Sequence, residues 1–379
     1  MSKSKLALFI SSLEAGGAER VVSLLLPELI KIYEVSLILL DKKVNYCVPQ
    51  EVEVITLNNV SNSMGRFLSL PFLALQYKRI CQHLSIETSL SFLNRPNYIA
   101  ILAKMMGLDV KIVISERAMP SLQHKKGIKG FVNRWLIHWL YPKADEVVIN
   151  SLRNAYELEH AFGVKDIKTI YNPILIQQPL SLPCKKNSST FQFITIGRLD
   201  EGKNHFLLIN AMQHVDATLW IIGEGKLKKK LERHIKALGL THKIKLLGYQ
   251  SEPKEWLLQA DAFIFSSLHE GFPNVLLEAL SCGLPVISTD CLSGPREILA
   301  PQTDYTYQMN EGIEEAEFGI LVPVNDTEAM QKAMQKLLDD ENLYAYYRIQ
   351  ALKRAQYFAI EPILGQWRDV LEGKHTCVA

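Results

Sequence analysis

Residues 269–278 read His-Glu-Gly-Phe-Pro-Asn-Val-Leu-Leu-Glu, so Glu270 and Glu278 stand with seven residues between them. The apolar run Ala262–Phe265 before them reads as a strand, and a helix is expected to begin near Asn274. Strand, loop and helix start together turn free backbone N–H groups toward an anion. Carboxylates flanking such a nest accept hydrogen bonds from sugar hydroxyls. These types at this spacing suit a sugar attached to a phosphate. Two isolated acids would more often cap or pair on a helix. Here Ser266, Ser267, His269 and Asn274 crowd the same turn, which favours a ligand.

A second group, Gly-Arg-Leu-Asp-Glu-Gly-Lys-Asn at 197–204, follows another apolar run and opens a helix. Arg198 offers a fork for two phosphate oxygens, and Lys203 adds a point charge near the helix start. Such a pair can neutralise a diphosphate leaving group without metal. Alone, the segment reads equally well as a solvated loop, and the Glu pair in the same half tips it toward phosphate. Upstream, Gly16 and Gly17 lie in Ser-Ser-Leu-Glu-Ala-Gly-Gly-Ala-Glu-Arg, residues 11–20. A Gly-Gly turn is usually only a tight connection. At a strand's carboxyl end it lets backbone approach a phosphate or sugar. Neither this turn nor Gly223-Glu-Gly225 completes a Gly-x-Gly-x-x-Gly fingerprint. No Asp-x-Asp occurs, so the sequence gives no support to a metal-bound diphosphate.

The elements that must position these residues alternate along the chain. Leu6–Ile10, Val35–Leu40, Val52–Leu57, Thr88–Phe92, Lys111–Ser115 and Glu146–Asn150 read as strands, with helices such as Ala18–Ile32 and Arg66–Leu84 between them. The rhythm breaks over Asn172–Thr190, which carries Pro173, Pro179 and Pro183 and is expected to link two domains. It restarts with strands at Phe191–Ile196, Thr218–Ile222, Lys243–Leu247, Ala262–Phe265 and Pro285–Ser288. Helices are expected at Asn204–Gln213, Lys226–Leu238 and Asp326–Asp339. This predicts two Rossmann-like α/β halves with mostly parallel sheets, binding ligand in the cleft between them at the strands' carboxyl ends. Lys3 and Lys5 before Leu-Ala-Leu-Phe-Ile imitate a signal peptide, but a buried first strand is the better reading.

The 379 residues suffice for two full cores, and a formal charge of +2 gives no reason to expect nucleic acid. The charge is uneven: 21 Lys and Arg stand against 15 Asp and Glu up to residue 180, and 21 against 25 beyond it. The six cysteines are scattered with no Cys-x-x-Cys, which argues against a zinc site and for a reducing compartment. No apolar run has the length of a membrane span.

In order and spacing, these segments resemble the family 4 glycosyltransferases of GT-B fold over nearly the whole chain. Further matching pieces are Asn150-Ser151, Tyr171-Asn172-Pro173, Gly223-Glu-Gly225, Leu247-Gly248-Tyr249 and Ser293-Gly294-Pro295-Arg296-Glu297-Ile298-Leu299. The last looks like bacterial members that add hexoses or N-acetylhexosamines to surface glycans. The resemblance implies residues 1–172 as an acceptor-side domain, with a helix within 357–379 packing back on it, and 173–356 as the nucleotide-sugar domain. It implies a retaining hexosyltransferase with a UDP-sugar donor and neither metal nor cofactor. The implied acceptor is a lipid-linked or surface glycan such as lipopolysaccharide, O-antigen or capsule. By the same resemblance Arg198 and Lys203 hold the donor diphosphate, and Glu270 contacts the transferred sugar beside Gly271, Phe272, Pro273 and Asn274. Glu278 binds the ribose, Gly16 and Gly17 border the phosphates, and the base lies near Gly223 and Leu247–Tyr249, Gly248 included. On the acceptor side stand Arg117 and Ser151. Many relatives carry a His where this chain reads Ser115-Glu116-Arg117, and Arg117 cannot serve as a base at neutral pH.

Two other readings stay open. A nucleotide-sugar 2-epimerase shares the fold, but the chain offers no convincing acid–base set for the sugar's C2. A non-catalytic sugar-binding subunit of a glycan assembly complex is opposed by the intact Arg198, Lys203, Glu270 and Glu278. Finally, Arg117, Lys125, Lys126, Lys129, Arg134 and Lys143 lie between Glu116 and Asp145 with no acid among them. Ile128, Phe131, Val132, Trp135, Leu136 and Trp139 recur there at helical spacing. The Lys125–Trp139 region, with acid-free Arg66–Arg79, is expected to rest on the cytoplasmic leaflet of the cell membrane. The bland alternative packs its aromatic face into the core.

Overall fold

Runs rich in Val, Ile and Leu form parallel strands because both faces of such a sheet are covered. In a computed structural model describing residues 3–14, 16–57, 69–123, 127–176 and 190–374, the chain divides into two units. One comprises Met1–Leu175 and Ile360–Ala379, the other Ile176–Ala359. Arg66–Leu68, His124–Lys126 and residues 177–189 of the expected linker lie outside the described residues.

In the first unit β1 (Lys5–Ile10), β2 (Glu34–Leu39), β3 (Glu53–Thr56), β4 (Thr88–Phe92), β5 (Lys111–Glu116), β6 (Glu146–Ile149) and β7 (Ile167–Thr169) pair in the order β3-β2-β1-β4-β5-β6-β7. All neighbours are parallel, with Leu6 of β1 beside Val35 and Thr88. The helices are α1 (Gly17–Ile32), α2 (Leu70–His83), α3 (Asn94–Met105), α4 (Pro120–Gln123), α5 (Gly127–Leu140) and α6 (Leu152–Phe162). Alternate side chains go to opposite faces. Ala7, Phe9, Ile112 and Ile114 meet α2, α3, α5 and α6, while Leu6, Leu8, Ile10 and Val113 meet α1.

The second unit repeats the plan. Strands β8 (Gln192–Ile196), β9 (Thr218–Ile222), β10 (Ile244–Gly248), β11 (Ala262–Phe265), β12 (Val286–Thr289), β13 (Glu314–Ala316) and β14 (Gly319–Val322) pair in the order β10-β9-β8-β11-β12-β14-β13. Only β13 is antiparallel to its neighbour among these. Helices α7 (His205–Ala211), α8 (Lys228–Ala237), α9 (Pro253–Leu257), α10 (Asn274–Ser281), α11 (Pro295–Leu299), α12 (Thr327–Asp339) and α13 (Glu341–Gln356) complete it. Asp326 and Asp340 cap α12 and α13 through the N–H groups of Ala329 and Leu343, both at 2.9 Å. The sequence reading lacked β7, β13 and β14, which span three or four residues and are too short for periodicity to register.

The closing helix α14 (Ile360–Glu372) belongs to the first unit and packs beside α1 on its sheet. Trp367 is fully buried, its ring 5.8 Å from that of Phe92, and Lys111 Nζ donates to the Val370 carbonyl at 2.6 Å. Trp367→Ala is expected to cost about 3–5 kcal/mol of stability in urea denaturation of the full chain, the range for emptying a large aromatic site. A loss below about 1 kcal/mol would show that α14 contributes little to this core.

Candidate active site

In the second unit the strand order reverses between β8 and β11, and loops after both strands leave from the same edge. Open α/β sheets bind ligands at that position. After β8, Asp200 accepts the Lys203 N–H at 3.2 Å and caps a short 3-10 turn, Glu201–Lys203. Asn204 follows in the left-handed region at φ 48° and leads into α7. After β11 come buried Ser266 and Ser267, then the carboxylate loop and α10.

Three contacts join the two loops. Lys203 Nζ lies 2.5 Å from Glu270 Oε1, with both side chains mostly buried. Ser266 Oγ donates to the Lys203 carbonyl at 2.7 Å, and the Leu268 N–H donates to the Gly202 carbonyl at 2.8 Å. Lys203 also sits 5.3 Å from the centre of the Phe265 ring, a favourable place for a cation. Arg198 is the contrast: its side chain is 84% exposed, with Nε 3.6 Å from Asp200 Oδ2. One cation is thus held beside the carboxylate loop and one extends into solvent.

Gly271–Pro273 is supported from below. Ser293 Oγ donates to the Gly271 carbonyl, and Phe272 is buried against Phe358. Gly294 has φ 97°, and a Cβ there would stand 2.4 Å from Pro273 Cδ. Pro273 is the N-cap of α10, so that helix begins at Asn274 directly after the loop. Glu278 is half-buried one turn further along.

Gly223 and Gly248, expected near the base, lie beside these loops. A Cβ on Gly223 would fall 1.9 Å from the Gly197 carbonyl oxygen, and one on Gly225 2.4 Å from that of Leu199. The Gly223 N–H donates to the Gly248 carbonyl at 2.8 Å, and Leu247 lies half-buried before it. Residues not weighed in sequence also meet here. Asn204 Nδ2 donates at 3.0 Å to Oδ1 of Asn325, which follows β14 with φ 65°. Arg296 pairs with Asp290 at 2.7 Å and Glu314 at 2.8 Å, bracing α11 beneath the loop. The only sequence signal for that brace was its place in Ser-Gly-Pro-Arg-Glu.

The remaining candidates lie in the first unit. Gly16 is the extended N-cap of α1 and Gly17 its first residue. The Glu19 carboxylate reaches back to Gly16, and burial raises its pKa. Ser151 Oγ accepts the Asn154 N–H at 3.2 Å, which caps α6. Arg117 points inward, 5.0 Å and 5.4 Å from the ring centres of Phe92 and Trp367, and Nη1 donates to Asn172 Oδ1 at 3.0 Å. Its Nε and Nη2 find no acceptor among the described residues. Burial pulls its pKa down to about 9, with Glu116 opposing the shift. Glu116 is itself raised by burial and accepts from Tyr141 Oη at 2.5 Å and Asn94 Nδ2 at 2.9 Å.

Known proteins resemble this chain in family and fold. The family profile "Glycosyltransferase Family 4" matches residues 15–178, and "Glycosyl transferases group 1" matches 183–354. A Campylobacter jejuni protein is 40% identical over 362 residues, 93% of this chain and 95% of that protein. It is the N-acetylgalactosamine-N,N'-diacetylbacillosaminyl-diphospho-undecaprenol 4-alpha-N-acetylgalactosaminyltransferase. Among solved structures, the lipopolysaccharide outer core galactosyltransferase WaaB in apo form superposes with TM-score 0.75 at 22% identity, over 98% of this chain and 100% of that one. Anabaena HepE in complex with UDP superposes with TM-score 0.75 at 18% identity, over 97% and 100%.

His205, two residues after Lys203, is buried at the start of α7. Burial, and then the Lys203 charge, push its pKa down to about 4. The unfolded chain takes up this proton near 6.5 and the folded chain only near 4. The group's contribution to stability is therefore complete above pH 6.5 and is lost as the pH falls toward 4. Urea denaturation at stepped pH should show about 3 kcal/mol lost from this group. His205→Gln should flatten that part of the profile; an unchanged slope would assign it elsewhere.

Proposed function

Because the chain belongs to the family 4 glycosyltransferases of GT-B fold, we propose that it moves an N-acetylhexosamine or hexose from a UDP-sugar to a saccharide carried on a lipid diphosphate or lipopolysaccharide, with retention of configuration and without a metal. The observation that carries this is the Lys203–Glu270 contact at the reversal of strand order, which sets the cation we assign to the phosphates beside the carboxylate we assign to the sugar. The Campylobacter relative, named for adding N-acetylgalactosamine to a diphospho-undecaprenol-linked saccharide, supports that acceptor class. Binding of UDP by HepE supports the nucleotide.

In this reading the donor diphosphate takes over Lys203 from Glu270 and draws in exposed Arg198. The acceptor hydroxyl attacks the anomeric carbon on the face the diphosphate leaves. The carbon–oxygen bond to the diphosphate breaks, the glycosidic bond forms, and the hydroxyl proton passes to the departing phosphate oxygen. Arg198, Lys203 and the N-terminus of α10 stabilise the charge on the leaving group. Glu270 orients the sugar and Glu278 the ribose. Side-chain cations do the neutralising, so no metal is assigned. No helix of the described residues is long and apolar enough to cross a membrane. We place the protein peripherally, on the inner face of the cell membrane.

Steady-state kinetics with UDP-N-acetylgalactosamine and a lipid-diphosphate saccharide test the assignment. Arg198→Ala is expected to lower kcat about 100-fold, the scale for losing one charge-stabilising donor. Glu278→Ala is expected to raise the donor KM about 10–100-fold, as for losing a charged hydrogen bond. Added chelator should leave the wild-type rate unchanged. Wild-type constants in both variants would refute the site.

A further inference from the structure

Helices α2, α3 and α5 contain no Asp or Glu. They cover one face of the first unit's sheet and carry Lys78, Arg79, Arg95, Lys104, Lys129 and Arg134. The opposite face is covered by α1 and α14, which bear Glu19, Glu28, Glu361, Asp369 and Glu372. On the same face as α2, α3 and α5, helix α6 carries Glu157 and Glu159, so the acid-free part of that layer is α2, α3 and α5, where Lys104 pairs with Asp145 at 2.5 Å. The three helices are knit together: Lys78 Nζ donates to the Met106 carbonyl at 2.6 Å, and Tyr98 Oη donates to Asn133 at 3.3 Å.

The outer surface of this layer is also apolar in a patterned way. On α5, Leu136, Ile137 and Leu140 turn into the core. Ile128, Phe131, Trp135 and Trp139 turn out, exposed by 85%, 63%, 53% and 41%. Their spacing of three, four and four residues makes one stripe along the helix. The Trp135 and Trp139 rings stack at 5.5 Å, and Lys143 Nζ stands 5.4 Å from the Trp139 ring centre. On α2, Phe72, Leu75 and Arg79 are exposed at the same helical spacing. The aromatic residues of α5 therefore do not supply the core, as the bland reading had it.

We propose that the α2–α3–α5 layer is a membrane-docking surface, with α5 lying in the headgroup plane of an anionic bilayer. Phe131, Trp135 and Trp139 enter the acyl boundary, and the exposed Arg79 and Lys129 meet lipid phosphates. This deepens the peripheral placement proposed above and rests on it. Charge selects the occupant. A second copy would face the same acid-free, basic surface across a two-fold axis, setting like charges together. An anionic bilayer complements the charge and receives the indole rings at its interface.

Co-sedimentation of the full-length protein with phosphatidylcholine vesicles, with and without phosphatidylglycerol, tests this with neither donor nor acceptor present. Wild type is expected to partition at least tenfold more strongly onto the anionic vesicles, and more weakly as salt rises. Its tryptophan emission should shift to the blue and be quenched by brominated lipid. Phe131→Ser with Trp135→Ser should lower partitioning at least tenfold with an unchanged melting temperature. Arg79→Glu with Lys129→Glu should do the same, and tests the surface if the first pair fails to fold. Equal partitioning of folded variants and wild type, or none by wild type, overturns the proposal. So does self-association of wild type that the variants abolish, without vesicle binding. Since the readout needs no transfer, the docking surface and the enzymatic assignment fail separately.

Discussion

In a parallel sheet every strand delivers its carboxyl end to the same edge, and the candidate site depends on that constraint. In the second unit the edge collects the loops after β8, β11 and β14. Pairing of Ala262 with Phe193 and of Phe263 with Ile194 fixes the register of β11 on β8. That register brings Lys203 to Glu270 although they lie far apart in the chain. A slip of one residue would turn every side chain of β11 to the other face of the sheet. Core packing and site geometry are therefore set by one interaction, the ladder between β8 and β11.

Much of this was legible because the relevant information is local. Strands buried on both faces read as apolar runs, and long helices read by their period. The candidate segments are contiguous at 197–204 and 269–278, so each can be read as a unit from the sequence. What sequence hid depends on tertiary neighbours. Gly223-Glu-Gly225 reads as a ligand loop in sequence, which does not show that its glycines are also required because the Gly197 and Leu199 carbonyls pass too close for a Cβ. Helical spacing grouped Val132 and Leu136 with Trp135 and Trp139, but only the packing of α5 shows which side is covered. Arg296 gives no local sign that its partners are Asp290 and Glu314.

Two buried arginines show how context decides a cation's role. Arg296 has two carboxylates at hydrogen-bond distance, so its charge is neutralised where it sits. Arg117 has none among the described residues: its guanidinium lies against two aromatic rings, and one nitrogen donates to Asn172. Glu116 next to it is already engaged by Tyr141, Asn94 and two backbone N–H groups. Ring quadrupoles attract a cation but offset only part of the desolvation it suffers. The lowered pKa of Arg117 and the pairing of Arg296 follow from that difference.

The Ser-Gly-Pro-Arg-Glu segment gives the carboxylate loop a stiff floor. The Arg296 brace fixes α11, Ser293 hydrogen-bonds the Gly271 carbonyl, and Gly294 admits Pro273 where a side chain would collide. Across the site, Gly223 and Gly225 clamp the loop that carries Arg198 and Lys203. Both loops thus pack closely against neighbouring segments, at glycines where a Cβ would not fit. Charge stabilisation is most effective when the stabilising groups are already in place and need not reorganise as charge develops. In the proposed reaction that requirement falls on Lys203, held against Glu270, and on Arg198, which stands exposed beside it.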